Sequence, residues 1–521
     1  MPSMAGGSDD TTSGSAEPPF VRPEGLTASE RYLKKLSDGS FLSMWTYPGL
    51  FVKKSKHGLT RGRELCDLLV VFDNTLIIFS DKECEFGPTT ELELSWSRWF
   101  SEAVVEAAGQ ARGAKRRLLR HSRELFLDQE CTIPFPLTID TARARLHLIV
   151  VAHGASRACS EILGGSGSLM IRTDLKGREA HTVPFAIGDL YPSDAYVHVF
   201  DDTTLEIVMQ ARDTITDFAH YLHKKEAFLR SNRPIAVDGE EELLAIYLQT
   251  VNDRNEHDLV ILPEATASLT VIGSFWEDFI NSPQRLCQLD HDAISYSWDL
   301  LIEKFNQHAW RGDQLDLSQE QGASAQGVAE TERVTRLMAR EPRTRRRMLA
   351  RDLNGLVQKT AADARGIYIV GPSNTGDPYY AFLAFPVWNG TWTGVITEEY
   401  LQYRRARGYA LHSLMLTVKL KFPDAMDIVG IATESGLEAY PRSEDCGYID
   451  ARDWCDHLHH EAIFRQKELN LLERATVRHR TDQEFPSVTL AGELLFPVGR
   501  NPRNKPCPCG SGLKFKRCHG R

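Results

Sequence analysis

The tail of this chain gathers three cysteines and one histidine, Cys507, Cys509, Cys518 and His519, within thirteen residues. Thiolates and imidazoles in fours are the donors that hold zinc in a tetrahedron. Pro508 stiffens the first pair, and Gly510 and Gly512 permit the backbone reversal that brings Cys518 and His519 back to it. Lys514, Lys516 and Arg517 offset the charge of three thiolates. A segment this short cannot bury a core, so metal binding must supply its folding energy.

A second set of chemical side chains lies near the start. Glu64 stands before and Asp67 within an apolar run, Leu65 to Phe72; Asp73 and Asn74 separate it from a second run, Leu76 to Phe79, which is followed by Asp81 and Lys82. Two short apolar runs separated by a turn pair predict a β-hairpin. Carboxylates that hold a divalent cation, with a lysine to position or activate water, are what metal-dependent phosphodiester cleavage requires. Glu64, Asp67, Asp81 and Lys82 are the candidate catalytic residues, and Mg²⁺ or Mn²⁺ the candidate cation.

Both sets resemble known families. The tail is similar to the SEC-C motif, the zinc-binding tail of the SecA translocase; the match covers residues 501–520, with Leu513 at a variable position. The resemblance implies one zinc ion on Cys507, Cys509, Cys518 and His519, and a module for contact with a protein, a ribosome or a nucleic acid. No Walker A lysine motif is present, so the rest of the chain does not resemble the SecA motor. Residues 27–125 resemble the PD-(D/E)xK, or restriction-endonuclease-like, core, nearest to its NERD variety, with Glu30 on an upstream helix and Trp96, Trp99 and Gln110 on a downstream one. That family places an acid two residues before the lysine, and here the position is Ser80. Asp81 is adjacent to Lys82, and on a regular strand it faces the other way. A bulge re-aims Asp81, or Asp67 holds the metal with Glu64 or Glu30, or the site does not cleave.

Other motifs carry less. Gly371 to Pro378 lacks the lysine of a phosphate loop and reads as a surface loop. Cys455, His457, His459 and His460 share a helix without a second paired half, which predicts a solvated face. Two arginine-rich stretches, from Arg112 to Arg123 and from Arg333 to Arg351, are candidates for tracking a phosphate backbone.

These residues need a scaffold. The chain has 521 residues, 42% hydrophobic and 25% charged, with a formal net charge of -10. That excludes a wholly basic coat protein and leaves a locally basic face open. Ten cysteines are too few for a disulfide scaffold. The polar, acidic N-terminus lacks the pattern of a signal peptide, and no run is long enough to span a bilayer. A soluble cytoplasmic protein without membrane contact is expected. The pattern predicts a multidomain α+β or α/β chain. Its parts are a disordered tail (1–25), a nuclease-like α/β domain with a restriction-endonuclease-like core (26–232), a mainly helical region and linker (233–328), a basic helix plus second α/β unit (329–490) and the zinc knuckle (495–521). Helices are expected at 27–36, 97–122, 213–229, 398–420 and 453–479, and strands at 146–152, 168–173, 195–200, 366–370, 379–387 and 427–432.

Overall fold

Thr27 caps the first helix by accepting the Glu30 amide at 3.1 Å, and the Glu30 carboxylate accepts the Leu26 amide at 2.7 Å. The first bond satisfies one of the donors every helix start leaves open, and the second ties the preceding residue to the first turn. The two bonds begin α1 (Ala28–Phe41) in a computed structural model that describes residues 23–56, 59–231, 233–253, 256–259, 269–311, 326–390, 397–436, 443–473 and 483–486. The knuckle ligands Cys507, Cys509, Cys518 and His519 lie outside the described residues, as does most of the expected linker at 318–328.

After α1 come β1 (Thr46–Pro48), β2 (Phe51–Lys56), β3 (Leu59–Glu64), β4 (Leu68–Phe72) and β5 (Thr75–Lys82). The expected hairpin is β4–β5. Phe72 lies opposite Thr75, and Asp73 takes a positive φ of 52° in the turn. The β2–β3 hairpin was not expected, because its lysines and arginines mask any alternation. A long helix follows in three parts: α2 (Leu92–Trp99), a π-helical stretch (Phe100–Glu106) and α3 (Ala107–His121). Next are β6 (Leu125–Phe126), β7 (Arg145–Ala152), α4 (Ser156–Leu163), β8 (Met170–Lys176), β9 (Ala186–Asp189), β10 (Val197–Asp201), α5 (Thr204–Ala211) and α6 (Ile215–Leu229).

Strands β1, β4, β5, β7 and β10 form one sheet in that order. β1, β4 and β5 are antiparallel neighbours, whereas β7 runs parallel to β5 and β10 parallel to β7. The crossover from β5 to β7 contains the long helix. Alternation along the strands sorts the side chains. Leu68, Val70, Ile77 and Phe79 face a core shared with Leu33 and Phe41 of α1, while Leu69, Val71, Leu76 and Ile78 face Trp96, Trp99, Ala103, Ala107 and Ala111. The alanine stripe lets the long helix lie close on the sheet. Each large apolar side chain so buried contributes about 1.5–3 kcal/mol.

The remaining elements are β11 (Ile235–Val237), α7 (Glu240–Gln249), β12 (Leu269–Val271), α8 (Phe275–Ile280), α9 (Pro283–Asp292), α10 (Tyr296–Arg311), α11 (Gln326–Arg340), α12 (Arg343–Lys359), β13 (Gly366–Val370), β14 (Tyr379–Phe385), α13 (Glu398–Lys421), β15 (Asp427–Glu434), β16 (Glu444–Asp450) and α14 (Asp456–Leu469). A sheet of order β12-β11-β8-β9 draws strands from both sides of residue 232, and another has the order β13-β14-β15-β16. In the latter, parallel β14 and β15 are joined through α13. Gly430 lets α13 pack close there, since a Cβ would sit 2.5 Å from the Met415 sulfur and the methionine would have to move. One apolar core runs from Leu33 through Trp298 and Met338 to Ile431, so these layers pack as a continuous body. Among the described residues no helix is long and apolar enough to cross a membrane.

The stretch from Arg333 to Arg351 is two helices, broken at Glu341 and Pro342, rather than one. Most of its charge is consumed internally. Arg343 bonds Asp213 and Asp299 at 2.8 and 2.7 Å, Arg346 bonds Asp299 at 2.7 Å, and Arg347 bonds Asp292 at 3.0 Å. Arg333 pairs with Asp450 at 2.8 Å, and Arg336 and Arg340 pair with Asp73 at 3.7 and 2.9 Å.

Candidate functional site

The β4–β5 register sets the geometry of the predicted site. Leu68 lies opposite Phe79, so Asp67, one residue earlier, lies across from Ser80. Cross-strand neighbours share a face, and so do residues two apart on a strand. Asp67, Ser80 and Lys82 therefore face the long helix together. Ser80 donates to the Gln110 side-chain oxygen at 3.2 Å, and the Lys82 ammonium lies 3.8 Å from Glu106. Gln110 and Glu106, one turn apart, thus flank the pair two residues apart on β5. A π-helical turn holds an extra residue and rotates the face that follows it, a feature common near functional sites.

Glu64, at the end of β3, joins Asp67 electrostatically. Burial, then the charge of Asp67, then that of Glu30 push the Glu64 carboxyl up to about 7. Burial likewise pushes Asp67 up to about 6, with Asp81 and Glu30 adding to it, although the Asp81 amide donates to Asp67 at 2.6 Å. One Glu64 carboxylate oxygen is buried without a hydrogen-bond partner. Half-buried carboxylates that resist ionisation beside one another, one with an orphaned oxygen, suit a cation that would neutralise both. Among the described residues no three His, Cys, Asp or Glu side chains converge to hold a metal. Mg²⁺ needs no such cage, since it is commonly held by one or two carboxylates with water and substrate oxygens completing its shell. Glu30 is occupied by the Leu26 amide.

Asp81 goes elsewhere. Asp81 lies opposite Val151 in an uninterrupted β5–β7 ladder, so no bulge turns it toward Asp67 and Lys82. Its carboxylate bonds His153 Nε2 at 2.7 Å, and Asp202 bonds His153 Nδ1 at 2.8 Å. These three residues sit at or just beyond the carboxyl ends of parallel strands β5, β7 and β10. Burial alone would lower the imidazole, but the hydrogen bonds to Asp202 and Asp81 outweigh it and push it up to about 10. His153 is therefore an imidazolium clamped between two carboxylates. Its backbone amide donates to Lys82 O at 3.0 Å, and the Trp99 indole donates to its carbonyl at 2.9 Å. Gly154 follows with φ 96° and lies so close to the Cys84 carbonyl that a Cβ would stand 2.0 Å from it. An open cleft beside this clamp is lined by Cys84, Phe86, His153 and Asp202.

Sequence reasoning did not find His153, Asp202 or Glu106. The first two had a signal: each follows an apolar strand directly, and in parallel sheets ligands gather beyond the strand carboxyl ends. Glu106 had none, because the π-helical turn that orients it is invisible to a 3.6-residue period. The 371–378 stretch is a loop between β13 and β14, as expected, and Cys455, His457, His459 and His460 are exposed at the start of α14.

The SEC-C motif profile matches residues 503–521. Similar proteins include the "Protein translocase subunit SecA" of Acinetobacter baumannii (strain SDF), 29% identical over 129 residues, which are 25% of this chain and 14% of that one. The "Protein translocase subunit SecA" of Methylobacillus flagellatus is 34% identical over 124 residues, 23% of this chain and 11% of that one. The similarity lies in the C-terminal region. The matched stretch spans about one seventh of these relatives or less. No solved structure matches the chain.

Proposed function

We propose that this is a zinc-knuckle protein whose N-terminal module is restriction-endonuclease-like and acts on the phosphodiester backbone of nucleic acid. The observation that carries this reading is the register that sets Asp67 across from Ser80 and on the face of Lys82. It occurs in a helix, three antiparallel strands, a crossover helix and a parallel strand, the order such cores use. In this reading Glu64 and Asp67 hold a divalent cation and Lys82 meets the phosphate. Such a cation, when bound, polarises a phosphoryl oxygen and lowers the pKa of its water. The tail binds zinc through Cys507, Cys509, Cys518 and His519, as the SEC-C match supports. Incubation of the purified chain with Mg²⁺ or Mn²⁺ and single- or double-stranded DNA or RNA tests it. Lys82→Ala should abolish cleavage with the fold intact, and Asp67→Ala should abolish cleavage and Mn²⁺ binding together. No cleavage by the wild type, with Mn²⁺ binding equal in Asp67→Ala, would end the nuclease reading.

Ser80 in place of the usual acid favours a second reading, in which the module does not cut and the protein is an adaptor. Its knuckle then docks on a protein or ribosomal partner. Ser80→Glu separates the two: a gain in Mn²⁺ affinity fits the first, and no change fits the second.

A further inference from the structure

Two arginine-rich stretches looked alike as sequence, and the structure separates them. From Arg333 to Arg347 the guanidinium groups of Arg333, Arg336, Arg340, Arg343, Arg346 and Arg347 all meet carboxylates of the same chain. On α3, Arg112 and Lys115 share Asp194 and His121 lies 3.2 Å from Glu124, while the arginines of the later turns are left out. Arg116, Arg120 and Arg123 are exposed and, among the described residues, have no carboxylate partner; the same is true of Arg63 on β3. These cations are near enough to disturb one another: burial first, then the charges of Arg63 and Arg116, lower the affinity of the Arg117 guanidinium for its proton. Arg117 in turn donates to the Leu65 carbonyl at 2.9 Å, which ties the cluster to the residue between Glu64 and Asp67.

Resting on the nucleic-acid reading above, we infer that Arg63, Arg116, Arg120 and Arg123 form the surface that grips the phosphate backbone of nucleic acid beside Glu64, Asp67 and Lys82. Unpaired guanidiniums are the natural partners of phosphate oxygens, and each contact adds to a salt-sensitive affinity. Glu106, beside Lys82, and Arg120 are fourteen residues apart on one helix, which spans roughly 21 Å at a rise of about 1.5 Å per residue. That is about six base pairs of duplex at about 3.4 Å each. An anionic membrane is the other polyanion such a patch attracts. A helix that lies on a bilayer must offer it an apolar face. The apolar face of α3, made of Ala107, Ala111, Ala114 and Leu118, is already buried against the sheet.

The test is fluorescence anisotropy of the full chain with labelled 20-mers of duplex DNA, single-stranded DNA and RNA, across a salt series and in chelator so that cleavage plays no part. The wild type should bind at least one of them, with an affinity that falls steeply with salt. Arg116→Gln, Arg120→Gln and Arg123→Gln together should flatten the slope of log K against log salt for duplex by about 2 to 3, from about 0.9 per lost phosphate contact. Arg333→Gln should leave the slope unchanged. Three exposed substitutions should leave the melting temperature in place, which keeps a fold defect distinguishable. An unchanged slope in the triple variant overturns the inference, as does binding to phosphatidylserine vesicles with none to nucleic acid. If Lys82→Ala and the wild type both fail to cleave while the slope still flattens, the nuclease reading falls and this surface stands.

Discussion

Single residues decide what the strand ends can do. Neighbouring Asp81 and Lys82 face opposite ways, so one serves the His153 clamp and the other the helix side of the sheet. His153 is held charged to about 10, above the ordinary value near 6.5. A group whose affinity for protons rises on folding stabilises the fold in full below its unfolded pKa, and loses that contribution as pH climbs through the folded one. The melting-temperature gap between wild type and His153→Gln should therefore be widest near pH 6 and shrink toward pH 10.5. A gap that is flat or grows over that range would contradict a charged clamp. Glu64 and Asp67 titrate the other way with respect to metal. With carboxyls pushed up to about 7 and about 6, protons compete with the cation, so Mn²⁺ affinity should climb between pH 5 and pH 8; titration calorimetry measures it directly. At the other end of the chain, Cys509→Ser should lose one bound zinc while the melting transition of the body is unchanged, since the metal folds only its own loop. Metal analysis of wild type and variant checks the loss.

Elements explain why some of this was legible in sequence and some was not. The β4–β5 hairpin could be read because two short apolar runs flank the Asp73-Asn74 pair. α1 was found from Thr27 and Glu30, but its end was placed short of Phe41. The long helix was found from its alanine stripe, yet its π-helical turn was not, and with it went Glu106. The β2–β3 hairpin was missed because Lys53, Arg61 and Arg63 interrupt any apolar period. α12 was misjudged for a different reason. Three arginines in a row read as a surface, whereas the aspartates that pair with the arginines of α12, Asp213, Asp292 and Asp299, are remote in sequence. Arg346 and Arg347 are each 1% exposed. Burial pushes Asp292, the partner of Arg347, up to about 6, against the opposing charge of Arg347 and Arg343. Arg347→Ala should then cost about 3–5 kcal/mol, because it strands a buried carboxylate. Arg347→Ala with Asp292→Ala should cost less than the sum of the single changes, and chemical denaturation of the three variants measures the difference.

Across the whole molecule, the candidate site and the C-terminal half are joined by charge as well as by core. The tip of the β4–β5 hairpin, Asp73, is gripped by Arg336 and Arg340 of α11. Glu484, in the described piece nearest the knuckle, meets Arg212 at 3.2 Å and His257 at 2.5 Å. Internal pairing of this kind has an outward effect. A guanidinium matched at under 3 Å is a short dipole whose field fades quickly, whereas an unmatched one is felt across about 10 Å at 0.1 M salt. The net charge is -10, and Arg343, Arg346 and Arg347 of α12 are buried against carboxylates. The unmatched guanidiniums at the end of α3 therefore form a positive patch on a chain of negative net charge. A polyanion that comes within reach of that patch is turned toward it. Added salt should accordingly slow the association rate more than it speeds dissociation, and stopped-flow mixing at two ionic strengths would resolve the two.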